Sequence, residues 1–249
     1  RWEELVRRYA GDAYGERLEG QGSLRLTIDP SSATAELLRM RDVDGRLVPG
    51  EPEELQRDGL GRIQLPMGSY QLRVEASGHA TAVLPVLVQR LQNVEIDLSL
   101  PPRDSVPDGF VFIPASNVVL GGDPEALSGL PETVAHVECF AIARFPVTCG
   151  EYFEFLQALA EMSPEEALQR TPRRRGAVES GDGPLFDPAE ALKTGFPVID
   201  REGRTWEVDQ PVVGVGADDA RAYAAWRNKA QPGFGFRLPT ESEWEKKLA

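Results

Sequence analysis

Arg237-Leu238-Pro239-Thr240-Glu241-Ser242-Glu243-Trp244-Glu245, close to the C-terminus, decides how the second half of this chain is read. Pro239 interrupts any preceding helix, because the residue before a proline is pushed out of the helical region. Thr240 stands three residues before Glu243, the spacing at which a hydroxyl and a carboxylate close a capping box. A helix is therefore expected to restart there, its glutamates favoured by the positive end of the helix dipole. Working back, Ala220, Tyr223, Ala224 and Trp226 give one apolar face to a helix over 217–229, which Asp218 and Asp219 open. Thr148 and Glu151 repeat the box spacing ahead of Tyr152, Phe153, Leu156, Leu159 and Ala160, an apolar stripe. Phe110 to Ile113 and Val118 to Leu120 read as strands, and Val134 to Ile142 as a strand pair. Residues 162–210 are polar and rich in Gly and Pro, with the basic run Arg173-Arg174-Arg175.

The first hundred residues follow a different period. Leu24, Leu26 and Ile28 alternate with Ser23, Arg25 and Thr27; Tyr70, Leu72 and Val74 alternate with Gln71, Arg73 and Glu75. Further short strands are expected around Ala35–Met40, Ile63–Leu65, Val83–Val88 and Val94–Leu100, with a turn at Val43-Asp44-Gly45-Arg46-Leu47. The pattern predicts a small β-sandwich over 20–102. It is preceded by a helical linker over 1–19 and followed by a stiff linker over 103–109. A second domain then occupies 110–249. The whole is an α+β chain.

Composition narrows the functions. The 249 residues carry 27 Lys and Arg against 40 Asp and Glu, a net charge of −13. That balance argues against a nucleic-acid surface, which must neutralise phosphates, and against docking on an anionic membrane. No stretch has the run of about 18 apolar residues that spans a bilayer, so no membrane insertion is expected. Two cysteines and two histidines, none clustered, leave no zinc site. Asp42-Val43-Asp44-Gly45 lacks the closing glutamate of a calcium loop and reads as a hairpin turn. Gly214-Val215-Gly216 and Gly233-Phe234-Gly235 lack the strand and helix that a nucleotide-binding glycine loop needs.

Two resemblances follow from the residues. Gly22-Ser23-Leu24, Asp29-Pro30, Val43-Asp44-Gly45, Leu65-Pro66-Met67-Gly68-Ser69-Tyr70 and Ser77-Gly78-His79 resemble, in order and spacing, the PEGA domain. That is a small β-sandwich of bacterial surface and signalling proteins, which implies interaction and not catalysis. Phe110–Ala115, Gly121-Gly122, His136–Phe140, Arg144–Thr148, Pro211–Val215, Asp219-Ala220, Tyr223, Trp226 and the Arg237–Glu245 run resemble the formylglycine-generating-enzyme family, also called the sulfatase-modifying-factor domain. The resemblance implies a C-type-lectin-like α+β fold. It also implies, for catalytic members, copper held by a cysteine pair and oxidation of a Cys-x-Pro-x-Arg peptide.

Departures weigh against that chemistry here. Gly216-Ala217 replaces the family's Ser-Trp, Cys149 its usual Asn, and Ala224 its common helical Cys. The family's later motifs, with the calcium ligands and the copper-binding cysteines, are not in this sequence. The expectation is an N-terminal half of the domain, from an engineered truncation: the chain opens without Met, and Lys247-Leu248-Ala249 matches a common vector-encoded linker.

Cys139 and Cys149 are expected to be buried or half-buried thiols, so no catalytic residue, metal ligand or cofactor is assigned. The first reading is a non-catalytic regulatory or ligand- and protein-binding region of a bacterial signalling protein, resembling the tail of Ser/Thr protein kinases, in the cytoplasm. The alternatives are a formylglycine-generating oxidase whose catalytic half lies beyond the chain, and a lectin-fold display scaffold. A protein partner or a second copy is expected. Its interface is expected at Arg173, Arg174, Arg175, Trp226, Leu238 and Trp244, within or beside residues 211–246.

Overall fold

A computed structural model describes residues 20–53, 61–122, 131–174 and 183–248. The expected linker helix over 1–19 and Arg175 lie outside them. The chain folds as two compact units: one runs to Ile142 and resumes at Glu241, the other is Ala143–Thr240.

In the first unit β1 (Gln21–Asp29), β2 (Thr34–Val43), β3 (Arg46–Glu53), β4 (Ile63–Pro66), β5 (Gly68–Glu75), β6 (Ala82–Val88) and β7 (Asn93–Ser99) precede β8 (Phe110–Ile113), β9 (Ser116–Leu120), β10 (Thr133–Val137) and β11 (Phe140–Ala143). β1 lies between β4, antiparallel, and β7, parallel. A six-stranded sheet runs β11-β8-β6-β5-β2-β3. The period-two residues of both sheets meet in one core: Leu24, Ile63, Leu65 and Leu98 from the small sheet, and Leu37, Tyr70, Leu72, Val74, Val88 and Phe112 from the large one. Each such side chain contributes about 1.5–3 kcal/mol when fully buried.

The turn at Val43–Leu47 is a hairpin connection, and a strand follows it. Asp44 and Gly45 take φ of 53° and 77°, the left-handed pair that matches strand twist, and Asp42 Oδ1 accepts from the Gly45 N–H at 2.8 Å. β3 escapes the sequence pattern because it carries Pro49 and Pro52, which a strand tolerates at a sheet edge, and β3 is the outermost strand. The expected strand pair over 134–142 is corrected: β10 pairs with β9, while β11 joins the large sheet.

The first unit continues through residues 103–109, where a linker is expected. The Ala80 N–H donates to Pro101 O, the Arg103 N–H donates to Gly78 O, and Val106 is buried. β8 then pairs in parallel with β6 at Ala82 and Phe112. The C-terminal helix, Glu241–Leu248, packs on β9 and β10 in this same unit. Lys246 Nζ donates to Val137 O at 3.0 Å and also to Pro114 O. The Arg237–Glu245 run is thus divided, with residues 237–240 in the second unit and the rest in the first.

The second unit is mainly helical: α1 (Cys149–Met162), α2 (Pro164–Arg170), α3 (Pro188–Thr194) and α4 (Ala217–Ala230), with a two-stranded hairpin of β12 (Val198–Ile199) and β13 (Thr205–Trp206). Thr148 and Glu151 form the expected capping box. α2 and α3 lie in the polar, Gly- and Pro-rich stretch over 162–210, to which the sequence pattern assigns no element. Each begins at an N-cap followed by proline at N1, Ser163-Pro164 and Asp187-Pro188, which supplies the pre-set φ of a first helical turn. Tyr152, Phe153, Phe155, Leu156, Phe186, Trp206 and Tyr223 fill the core between these elements.

Candidate interaction surface

The basic run sits on a segment that is held along its backbone. The Arg173 N–H donates to Gly214 O at 2.7 Å, the Leu185 N–H donates to Pro172 O at 2.8 Å, and the Arg201 N–H donates to Leu185 O at 2.9 Å. Gly214 has φ +74°, and a Cβ there would lie 2.6 Å from Arg173 O. That close approach is the role of the first glycine in Gly214-Val215-Gly216, in place of nucleotide binding.

Around this ladder the charges are matched in a chain. Arg170 Nη1 pairs with Asp219 Oδ1 at 3.1 Å, while Asp219 Oδ2 accepts from the Gly216 N–H at 2.9 Å. Asp219 therefore caps α4 and anchors α2. Arg174 pairs with Glu202, Glu202 with Arg204, and Arg204 Nε with Asp200 Oδ2 at 3.1 Å. Asp200 also accepts from the backbone N–H groups of Glu202 at 2.8 Å and Arg204 at 2.9 Å, and from Trp206 Nε1 at 3.1 Å. Burial alone would raise its pKa; these hydrogen bonds and the Arg204 charge outweigh it and hold the carboxyl below its ordinary value.

Beside it lies an aromatic group. Tyr152 and Tyr223 stack at 5.9 Å between centroids, and Trp226 lies 5.7 Å from Phe155 and 5.8 Å from Tyr223. Tyr152 donates to Arg170 O at 2.8 Å; burial, then the charge of Asp219, push its phenol well above the usual range. Arg227 donates to the Tyr223 hydroxyl at 3.0 Å and covers the Phe236 ring. Asn228 bonds both backbone groups of Phe236, at 2.7 and 2.9 Å, fixing the 231–240 segment on α4.

The expected interface residues divide accordingly. Arg173 is half-buried, Arg174 is exposed, and Trp226 is half-buried in the aromatic group. Leu238 is 40% exposed in the second unit, and Trp244 is 50% exposed on the C-terminal helix of the first. Sequence reasoning missed Asp200, Arg201, Glu202 and Arg204; the spacing Asp200-x-Glu202-x-Arg204 in a turn was the available signal.

The thiols differ. Cys139 is exposed, while Cys149 is buried and its thiol is pushed up by that burial. Exposure of Cys139 corrects the expectation that both are covered. Among the described residues no group of three or more His, Cys, Asp or Glu could hold a metal ion. The crevice between Cys149, Phe153, Phe196 and Trp206 is apolar and has room for little more than a water molecule. Among the described residues no helix is long and apolar enough to cross a membrane.

Comparison with known proteins places this geometry in context. A model of the sulfatase-modifying factor enzyme 1-like domain matches residues 98–249, and a model of the PEGA domain matches residues 62–104. Hercynine oxygenase of Mycolicibacterium smegmatis is 34% identical over 155 residues, covering 59% of this chain and 33% of its own. Inactive C-alpha-formylglycine-generating enzyme 2 of Bos taurus is 32% identical over 148 residues, 55% of this chain and 47% of its own. Formylglycine-generating enzyme of Mycobacterium tuberculosis is 28% identical over 159 residues, 55% of this chain and 50% of its own. The chain thus spans between a third and a half of the length of these relatives. Among solved structures, the Bacillus anthracis TIE protein aligns over 49% of this chain and 26% of its own at 10% identity and a TM-score of 0.20, too low to carry a fold argument.

Proposed function

The chain belongs to the sulfatase-modifying factor enzyme 1-like family, and from that membership we propose that it is a non-catalytic, protein-binding regulatory region of a bacterial signalling protein. The setting proposed is a cytoplasmic Ser/Thr protein kinase. The observation that carries the non-catalytic reading is the sealed thiol of Cys149. Copper oxidation of a peptidyl cysteine needs two thiolates on one metal. With one of two cysteines buried and no metal-holding cluster among the described residues, the residues do not fit copper. A relative named as an inactive formylglycine-generating enzyme supports the same direction.

The proposed interface residues, each on its own unit, are Arg173, Arg174, Arg175, Trp226 and Leu238 in the second and Trp244 in the first, taken by a protein partner or a second copy. The module boundary over 103–109 belongs to the proposal as well; the PEGA match ends at residue 104. A second reading, part of a formylglycine-generating oxidase, is favoured by the relatives named formylglycine-generating enzyme.

Two measurements decide between the readings. Reading the gene on both sides of this segment should find kinase catalytic motifs upstream; a downstream cysteine pair would favour the oxidase. A Cu(I) titration should give no tight stoichiometric binding, and a Cys-x-Pro-x-Arg peptide should remain unoxidised. Stoichiometric binding that Cys139→Ser abolishes would overturn the proposal.

A further inference from the structure

We infer that the surface joining residues 170–174 to the β12–β13 hairpin is a docking site for a short acidic segment of a partner protein. This rests on the protein-binding reading above and names the partner's chemistry. The arginines come from two distant stretches of sequence. The Pro172–Leu185–Arg201 hydrogen-bond ladder places the two stretches on either side of Leu185, and Glu202, shared between Arg174 and Arg204, joins them. Each acid in the group is already committed: Asp219 to Arg170, Glu202 to Arg174 and Arg204, and Asp200 to Arg204. Arg173 and Arg201 form no ion pair with an acid among the described residues, so the described side chains of the patch, five arginines against Asp200, Glu202 and Asp219, carry a net positive charge on a chain of net charge −13.

The chemistry of the ligand follows. Guanidinium groups present a planar fork that matches a carboxylate in two parallel bonds; Glu202 and Asp200 already engage Arg174 and Arg204, which leaves Arg173 and Arg201 for the ligand. Arg173 and Arg201 lie on segments two strand spacings apart, roughly 10 Å. An extended peptide advances about 3.3 Å per residue, so carboxylates about three residues apart reach both. The acidic remainder of the molecule favours a short ligand over a long polyanion. At physiological salt the repulsion is screened beyond about 8 Å, which a short acidic stretch on the patch tolerates, whereas a nucleic acid would run past the patch over acidic surface.

Fluorescence anisotropy with fluorescein-labelled hexaglutamate at low salt tests this on the full 249-residue chain. Binding should weaken at least tenfold in Arg173→Glu/Arg201→Glu and by less in Arg173→Gln/Arg201→Gln. It should be unchanged in Arg25→Glu/Arg41→Glu, exposed residues of the first unit, and should decline with added salt. Circular dichroism of each variant should match the parent. Absence of binding, or equal binding by the patch and control variants, overturns the inference. Tighter binding of a single-stranded oligonucleotide of equal charge also overturns it, as does complete displacement by millimolar inorganic phosphate. Failure here leaves the gene-context and copper results standing, so the two readings fail separately.

Discussion

Replacing Asp200 with alanine should cost the second unit about 3–5 kcal/mol, the sum of a buried donor left unpaired and of the charge-assisted hydrogen bonds lost. The Asp200 side chain is fully covered and accepts from four donors. Their fates on its removal differ. The Arg204 side chain is 59% exposed and can turn its guanidinium to water, so its loss is small. The Glu202 and Arg204 N–H groups lie in an exposed turn and recover part of their bonding from solvent. The Trp206 indole cannot, because Trp206 is only 7% exposed. Leaving it unpaired costs roughly 1–3 kcal/mol, and losing the charge-assisted bonds to the turn supplies the rest. Urea unfolding followed by tryptophan fluorescence and circular dichroism reads the change. With a slope of about 1–3 kcal/mol per molar urea for small proteins, the midpoint should move by at least 1 M. The pH dependence has a fixed sign. The folded carboxyl has a lowered pKa, so its contribution is present above the unfolded value near 3.9 and is lost as pH falls through the folded value. The gap between wild type and Asp200→Ala should therefore narrow below about pH 4. A gap under about 0.5 kcal/mol at pH 7, as for an ordinary surface substitution, would refute the reasoning.

Three further outcomes are expected. Thr148→Ala breaks a capping box in which Thr148 Oγ1 accepts at 3.2 Å and Glu151 Oε2 at 2.9 Å, and should destabilise the second unit by about 1 kcal/mol in the same urea assay. Gly214→Ala places a Cβ 2.6 Å from Arg173 O at φ +74°, and should cost at least about 1–3 kcal/mol; a neutral result would mean that residues 172–174 move freely from the 214 turn. Native maleimide labelling should modify Cys139 rapidly and Cys149 only with unfolding, which peptide mass mapping distinguishes.

Legibility in the sequence followed the range of the interaction. The sandwich strands β1, β5 and β7 announce themselves because alternation is local, and α1 and α4 because their caps and apolar faces lie within a few residues. β3 was hidden by Pro49 and Pro52, whose permissibility depends on the strand being outermost, a fact of topology. α2 and α3 were readable from Ser163-Pro164 and Asp187-Pro188, but the surrounding Gly and Pro dominated the reading. β12 and β13 have two residues each, too few to display a period. The pairing of β8 with β6 rests on one register pair, Ala82 with Phe112, some thirty residues apart, and no local signal encodes it. For the candidate surface, the basic run was visible; its neighbours Arg201 and Arg204 were not, because a backbone ladder through Leu185 brings them there.

Cys149 illustrates how magnitude decides between two local signals. It is the first residue of α1, where the helix dipole favours a thiolate by about 0.3–1 kcal/mol. Burying an unpaired charge costs several kcal/mol, and Cys149 is only 4% exposed. Burial therefore wins, in agreement with the raised thiol pKa. The same contacts explain why a small side chain sits there. The Cys149 N–H donates to Gln210 O at 2.7 Å and the Gly150 N–H to Val208 O at 2.8 Å, drawing the helix start against the 208–212 segment. A Cβ on Gly150 would already lie 2.7 Å from the Val208 side chain, so the joint has no spare volume. Cys149 is thus packed at a tight junction, where burial outweighs the helix N-terminus and pushes its thiol up.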